Sequence, residues 1–200
     1  ELREDTGEIS AAGEDTLPRL IVPTDVKGAL HNHTTLSDGD ATLEQMADAA
    51  RNIGWNWLGI ADHSPTLKVA NGASAEDLLA QGRQIKQYNE AWSNDGVDFR
   101  LFHGVESDIL DGGKLDHPDD VLGELDYVVA SVHAMTKWKN RDEVTNTEEL
   151  IRCIDHPATT VLGHPTGRIL QGRDGYEVDM FAVIEHLSLI HISEPTRPRL

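Results

Sequence analysis

A chain of 200 residues with 38% apolar content is long enough to bury one core of ordinary size, and too short for several domains to be the expectation. Its 35 acidic residues outweigh 17 basic ones, and the resulting net charge of −18 counts against gripping a phosphate backbone with Lys and Arg alone, unless divalent cations neutralise clustered carboxylates. The single Cys153 leaves no internal disulfide and fits a reducing cytoplasm, while the lack of a membrane-length apolar run or a signal peptide gives no support for a membrane or secreted location.

Residues 1–25 are polar, acidic and interrupted by Gly and Pro, and read as a linker arriving from an upstream region. The pattern then predicts a strand over Val26–Asn32 and a helix over Thr42–Asn52, with Thr42 as N-cap and Gly54 near the end. A second strand is expected over Trp57–Asp62. A loop carrying Pro65 and Gly72 leads into a helix over residues 75–91 capped by Ser74. The short apolar runs Phe99–Val105, Tyr127–Val132 and Thr160–Gly163 are separated by helical or loop segments, the alternation of a parallel sheet or barrel. A last helix is expected over Asp179–His186. The residues from Ser188 to Leu200, S-L-I-H-I-S-E-P-T-R-P-R-L, read as foreign sequence where another strand should follow, so the domain is expected to occupy 26–187 and to be incomplete at its C-terminal side.

Metal-competent side chains recur along this pattern. His31 and His33 in H-N-H-T-T-L-S-D-G are separated by one residue, so on a strand both face one side and can share an ion. His63, Glu106, His133 and His164 each follow an apolar run, where a buried strand is expected to emerge, as a parallel barrel with its site at the strand C-termini requires. Asp38 in S-D-G suits either a turn or a ligand. Asp62 reads as a carboxylate that orients a ligand or a loop. Lys68 and Arg168 lie on loops beside these motifs and are candidates for contact with substrate phosphate. His103, His117 and His156 match no ligand position and read as local or surface residues, and Trp55 and Trp57 as packing.

As an ordered set, H-N-H, S-D-G, A-D-H-S, G-V-E-S-D-I, S-V-H and G-H-P resemble the PHP (polymerase and histidinol phosphatase) metallophosphoesterases over Val26 to His186. L-R-E-D-T-G-E-I, D-H-S-P-T-L-K-V-A-N-G and H-P-T-G-R-I-L narrow the resemblance to the C-terminal PHP domain of bacterial family X DNA polymerases. The resemblance implies an α/β fold, a distorted (βα)7 barrel truncated here before its last strand or strands, with three divalent metals (Mn, Zn or Fe). It also implies 3′–5′ exonuclease activity on DNA 3′ ends in repair, with an upstream polymerase region in cis. Carried over by position, His31 and His33 would hold the first metal with Glu106, Glu106 would bridge to a second metal bound by His133 and His164, and Asp38 and His63 would hold the third. Glu106 and His133 would be the catalytic pair. The family's final Asp-x-His has no counterpart, which leaves the first and third metals one ligand short. Neutral imidazoles with a bridging carboxylate suit first-row ions, and neighbouring ions can clamp attacking and leaving oxygens. Two other readings stand beside this one. A histidinol-phosphatase-like enzyme acting on small molecules is disfavoured by the upstream linker, and a non-catalytic structural module of the polymerase is disfavoured by the retention of seven ligand positions.

Overall fold

In the computed structural model, which describes residues 7–19, 21–169 and 172–193 apart from the side chains of Met135 and residues 189–193, strands and helices alternate along the chain. The leading segment forms a short helix, α1 (Glu8–Gly13), and a 3-10 turn at Pro23–Asp25; neither buries a residue, so neither contributes to the core. There follow β1 (Gly28–Asn32), α2 (Leu43–Asn52), β2 (Trp57–His63), α3 (Ala75–Asn94), β3 (Arg100–Leu110), β4 (Lys114–Leu115), α4 (Asp119–Leu122), β5 (Tyr127–Ser131), α5 (Met135–Lys139), α6 (Glu143–Ile154), β6 (Val161–Leu162) and α7 (Met180–Ser193).

Local chemistry sets the helix starts. The Thr42 hydroxyl accepts from Gln45 N at 3.2 Å while the Gln45 side chain accepts from Thr42 N at 2.9 Å, a reciprocal cap that satisfies two donors with no helical partner. Ser74 opens α3 by accepting from Asp77 N, and Asp142 opens α6 by accepting from Thr145 N.

The strands form one sheet in the order β1-β2-β3-β5-β6, each neighbour parallel to the next, with β4 folded back antiparallel on the end of β3. Alternation along each strand divides the side chains between two faces. On the outer face, Leu58, Ile60 and Leu101 pack with Leu43, Ala47 and Ala50 of α2 and Ile85 of α3, while Val105, Val128, Ala130 and Val132 pack with Leu150, Cys153 and Ile154 of α6 and Val183 of α7. The inner face holds a smaller cluster of Ala61, Tyr127 and Val129 with Phe102 and Val161.

A flat sheet of five strands would hold its edges roughly 19 Å apart, at about 4.8 Å per spacing. Yet the rings of His31 on β1 and of His164, just beyond β6, have centroids 5.7 Å apart. The sheet is therefore curled into a parallel half-barrel whose concave face carries the inner side chains.

Several element boundaries differ from expectation, among them the ends of β3 and α7. β3 runs on past Val105 to Leu110, because it stays paired with β5 as far as Asp108 and then turns into the β4 hairpin through Gly112 and Gly113, both at positive φ. α7 extends beyond His186 and beyond residue 187, where foreign sequence was expected to begin; residues 194–200 of that stretch lie outside the described residues. Among the described residues, no helix is long and apolar enough to cross a membrane.

Candidate metal centre

The first two histidines reach the concave face by a backbone irregularity. Leu30 already faces inward, since its Cδ2 stands 2.5 Å from where a Cβ on Gly59 would be. Strict alternation would send His31 outward. Instead the register against β2 slips between Ala29 and Asn32, and His31 adopts φ 63°, a left-handed conformation that non-glycine residues rarely take. Such a bulge turns successive side chains to the same side, so His31 follows Leu30 inward and His33 comes in behind it. At the opposite edge His164 also has positive φ, 24°. Backbone strain of this kind costs roughly 1–3 kcal/mol per residue and collects at functional sites.

His63 closes β2 and is in register with Glu106 on β3, which puts both on the inner face; His133 stands two residues past the end of β5. Glu106 is 1% exposed and lies at the centre. Its Oε1 is 2.9 Å from His31 Nε2, 3.3 Å from His133 Nε2 and 2.8 Å from His164 Nε2. Its Oε2 is 2.9 Å from His63 Nδ1 and 3.4 Å from His33 Nε2. Five imidazoles thus surround one carboxylate. Asp38 caps the second group from the solvent side, its oxygens 3.4 Å from His33 Nδ1 and 3.5 Å from His63 Nε2.

The other expected residues are placed as follows. Asp62 is fully buried and touches none of the imidazoles. It accepts from Thr34 N at 2.7 Å, Ser37 Oγ at 2.6 Å, Thr34 Oγ1 at 2.8 Å and Gln81 Nε2 at 2.7 Å, which ties the loop carrying Asp38 to β2 and α3. Lys68, on a 3-10 turn after β2, and Arg168, after His164, are both exposed on loops that leave the ligand strands. Asp108 was not singled out. Its Oδ1 lies 2.8 Å from His133 Nδ1, leaving Nε2 toward Glu106, as carboxylates beside metal-binding histidines do. The signal for it was available, because the period of two that turns Glu106 inward does the same for Asp108. The reading of His103 and His117 as local or surface residues is corrected: both are buried, His103 because the outer face of β3 lies beneath Gly82 of α3. His156 sits 3.3 Å from Asp119.

Burial alone would raise the Glu106 carboxyl, but contacts from His133, His164 and His31 more than reverse this and hold it far below the usual carboxylate range. Burial likewise works to lower His133, yet Asp108 and Glu106 raise it to about 9. His33 is lowered, first by burial and then by the neighbouring His63. An anion shared by this many imidazoles is a donor set suited to borderline divalent ions. Two groups bring three ligand atoms within 4.8 Å of one another, namely His31, Glu106 and His164, and His33, His63 and Glu106. The Nδ1 atoms of His33 and His63 are buried, and although each stands near a carboxylate oxygen, at 3.4 and 2.9 Å, neither contact has hydrogen-bond geometry, which suits lone pairs a cation would take up. These residues fit a metal. Glu106 belongs to both groups, and His31 and His164 share one of them.

A family model described as the PHP domain matches residues 29–191. The chain belongs to the PHP domain family. The chain is also similar to the DNA polymerase/3′-5′ exonuclease PolX of Bacillus subtilis, 39% identical over 185 residues, covering 92% of the chain and 31% of that protein. It is 32% identical to a probable phosphatase of Caldicellulosiruptor saccharolyticus, covering 82% of the chain and 64% of that protein. A probable phosphatase of Clostridium acetobutylicum is 31% identical, covering 78% of the chain and 57% of that protein. The chain therefore spans about a third of the polymerase relative and about three-fifths of these phosphatases. This PHP chain is related to the PolX exonuclease over the region that carries every histidine of the cluster.

Proposed function

We propose that this chain is the metal-dependent phosphoesterase domain of a family X DNA polymerase, releasing nucleotides from DNA 3′ ends as a 3′–5′ exonuclease. The observation that carries the reading is one buried carboxylate, Glu106, shared by five imidazoles from four strands of a PHP half-barrel. The polymerase relative, similar over 92% of the chain, supplies the choice of DNA. His31, His133 and His164 would hold metal with Oε1 of Glu106, and His33, His63 and Asp38 with Oε2, up to three divalent ions of the Mn, Zn or Fe type. When bound, such ions supply Lewis-acid polarisation of a phosphoryl group and of the attacking water. The chain's own part is to hold the imidazoles inward, to keep Asp62 fastening the Asp38 loop, and to present Lys68 and Arg168 to the phosphates of the strand. In this reading the domain is a (βα)7 barrel, with residues 1–25 as linker from the polymerase.

The two probable phosphatases favour a second reading, hydrolysis of a small phosphomonoester. A 3′-labelled oligonucleotide and a phosphomonoester such as histidinol phosphate, each incubated with Mn2+ and the chain or its Glu106→Gln variant, separate the two. The proposal expects labelled mononucleotides from the unsubstituted chain only. Hydrolysis of the monoester with the DNA left intact would select the second reading.

A further inference from the structure

The left-handed bulge at His31 decides which way that imidazole points, and two side chains outside the ligand set converge on it. Asn32 donates from its amide to Ala29 O at 3.2 Å and to Gly59 O at 2.9 Å. Those carbonyls lie on either side of the slipped register between β1 and β2, so the amide bridges a ladder that the bulge has opened. The second is Tyr127, at the start of β5. Its ring lies flat along the concave face, so that a Cβ on Gly104 of β3 would meet the ring at 2.5 Å and a Cβ on Gly59 of β2 would meet its hydroxyl at 2.6 Å. Only glycine at both positions leaves this path open. The phenol thus crosses from β5 over β3 to Gly59 of β2, where its hydroxyl shares the space above that glycine with Leu30 Cδ2, the β1 residue just before His31. The hydroxyl is buried there without a hydrogen-bond partner.

We propose that Asn32 and Tyr127 are positioning residues for His31: together they hold the β1 bulge, from the ladder side and from beneath, and thereby aim the His31 imidazole at Glu106 Oε1. Neither touches Glu106, and each acts through the main chain. This rests on the metal reading above as regards consequence, since an imidazole fixed before the ion arrives loses less freedom on binding. In regard to mechanism it rests on the contacts that Asn32 and Tyr127 make around the bulge.

The test uses the full chain with Asn32→Asp and Tyr127→Phe. Asp keeps the size and shape of Asn but cannot donate to Ala29 O and Gly59 O, and Phe removes one hydroxyl, so neither variant is expected to unfold. Zn2+ affinity is measured by competition with a chelating dye, for each variant alone and on a His31→Ala background. Loss of residues that orient a metal ligand typically costs about 10–100-fold in affinity, and a loss of about 10-fold or more is expected for each single variant. On the His31→Ala background no further loss is expected, because residues acting through His31 have nothing left to position. Equal losses on both backgrounds would overturn the proposal, as a general structural role predicts additivity. So would single variants with the affinity of the unsubstituted chain. A second readout needs no metal: the 15N-resolved amide signal of His31 in the metal-free chain is expected to move in both variants, and an unmoved signal overturns the proposal. If the unsubstituted chain takes up no Zn2+, it is the metal reading that fails, and the His31 amide still decides what holds the bulge.

Discussion

Replacing Glu106 with Gln tests the shared carboxylate most directly. The side chain keeps its volume, so the surrounding core of β3 has no reason to repack, but the charge disappears and one oxygen becomes an NH2 donor. Whichever way the amide turns, one group of imidazoles faces a donor and the other a neutral carbonyl. Hydrogen bonds to charged groups contribute about 1.5–3 kcal/mol each. Glu106 lies closest to members of both groups, His31 and His164 on Oε1 and His63 on Oε2. With one such interaction forfeited in each group, the change costs roughly 3–6 kcal/mol of metal affinity, a factor of about 10^2 to 10^4 at 1.4 kcal/mol per tenfold. His63→Ala removes a ligand from the Oε2 group alone and is expected to cost less. The assay is elemental analysis of the chain after gel filtration from buffer with Mn2+ or Zn2+, with a titration for affinity. Glu106→Gln is expected to lose more metal per chain than His63→Ala. If Glu106→Gln binds within about threefold of the unsubstituted chain, or if His63→Ala loses more, the carboxylate is not shared between two ions and the reasoning fails.

Three other outcomes are expected. Asp62→Asn places an NH2 among four donors and is expected to cost about 2–3 kcal/mol and to lower the melting temperature by roughly 4–12 °C; an unchanged melt would show that the loop from Thr34 to Asp38 is held by something else. Asp108→Asn frees the His133 tautomer and is expected to weaken metal binding about 10-fold or more with little change in melting, so a drop in melting without one in metal affinity would argue for a purely structural Asp108. Burial holds the His103 imidazole below its ordinary 6.5, so the folded chain resists a proton that the unfolded chain accepts. Its contribution is present above pH 6.5 and declines as pH falls below that value; urea midpoints at about pH 7.5 and about pH 5.5 are expected to differ less in His103→Gln than in the unsubstituted chain, and an equal difference would refute this.

What could be read from the residues alone was what depends on near neighbours. Thr42 and Ser74 are helix caps because a hydroxyl reaches an amide three residues on, and such a signal needs no tertiary partner. His63, Glu106 and His133 were legible as candidates because each follows an apolar run, which is a property of a single strand. Alternation placed His31 and His33 together but carried no trace of the bulge that sets their phase, since a slip in register is fixed by β2 and not by β1. The buried state of His103 was hidden for a similar reason: α3 covers it, and the helix that covers a strand is chosen by the fold. Asp108 is the exception, an inward residue within reach of alternation alone, two positions beyond Glu106 on the same strand.

The curl of the sheet distinguishes the two ligand groups. His33, His63 and Glu106 come from β1, β2 and β3, which are neighbours in the sheet, so local pairing is enough to bring them together. His31, Glu106 and His164 come from β1, β3 and beyond β6, and their atoms meet only when the two edges of the half-barrel have closed toward each other. Both edge histidines hold positive φ, so the group that depends on long-range closure is also the one that bears backbone strain. A metal held by the Oε1 group would therefore tie the edges of the sheet to its centre and draw its binding free energy partly against that closure, whereas one held by the Oε2 group would not. It follows that conditions loosening β6 should empty the Oε1 group first and leave the Oε2 group loaded, because only the former counts a ligand from that edge.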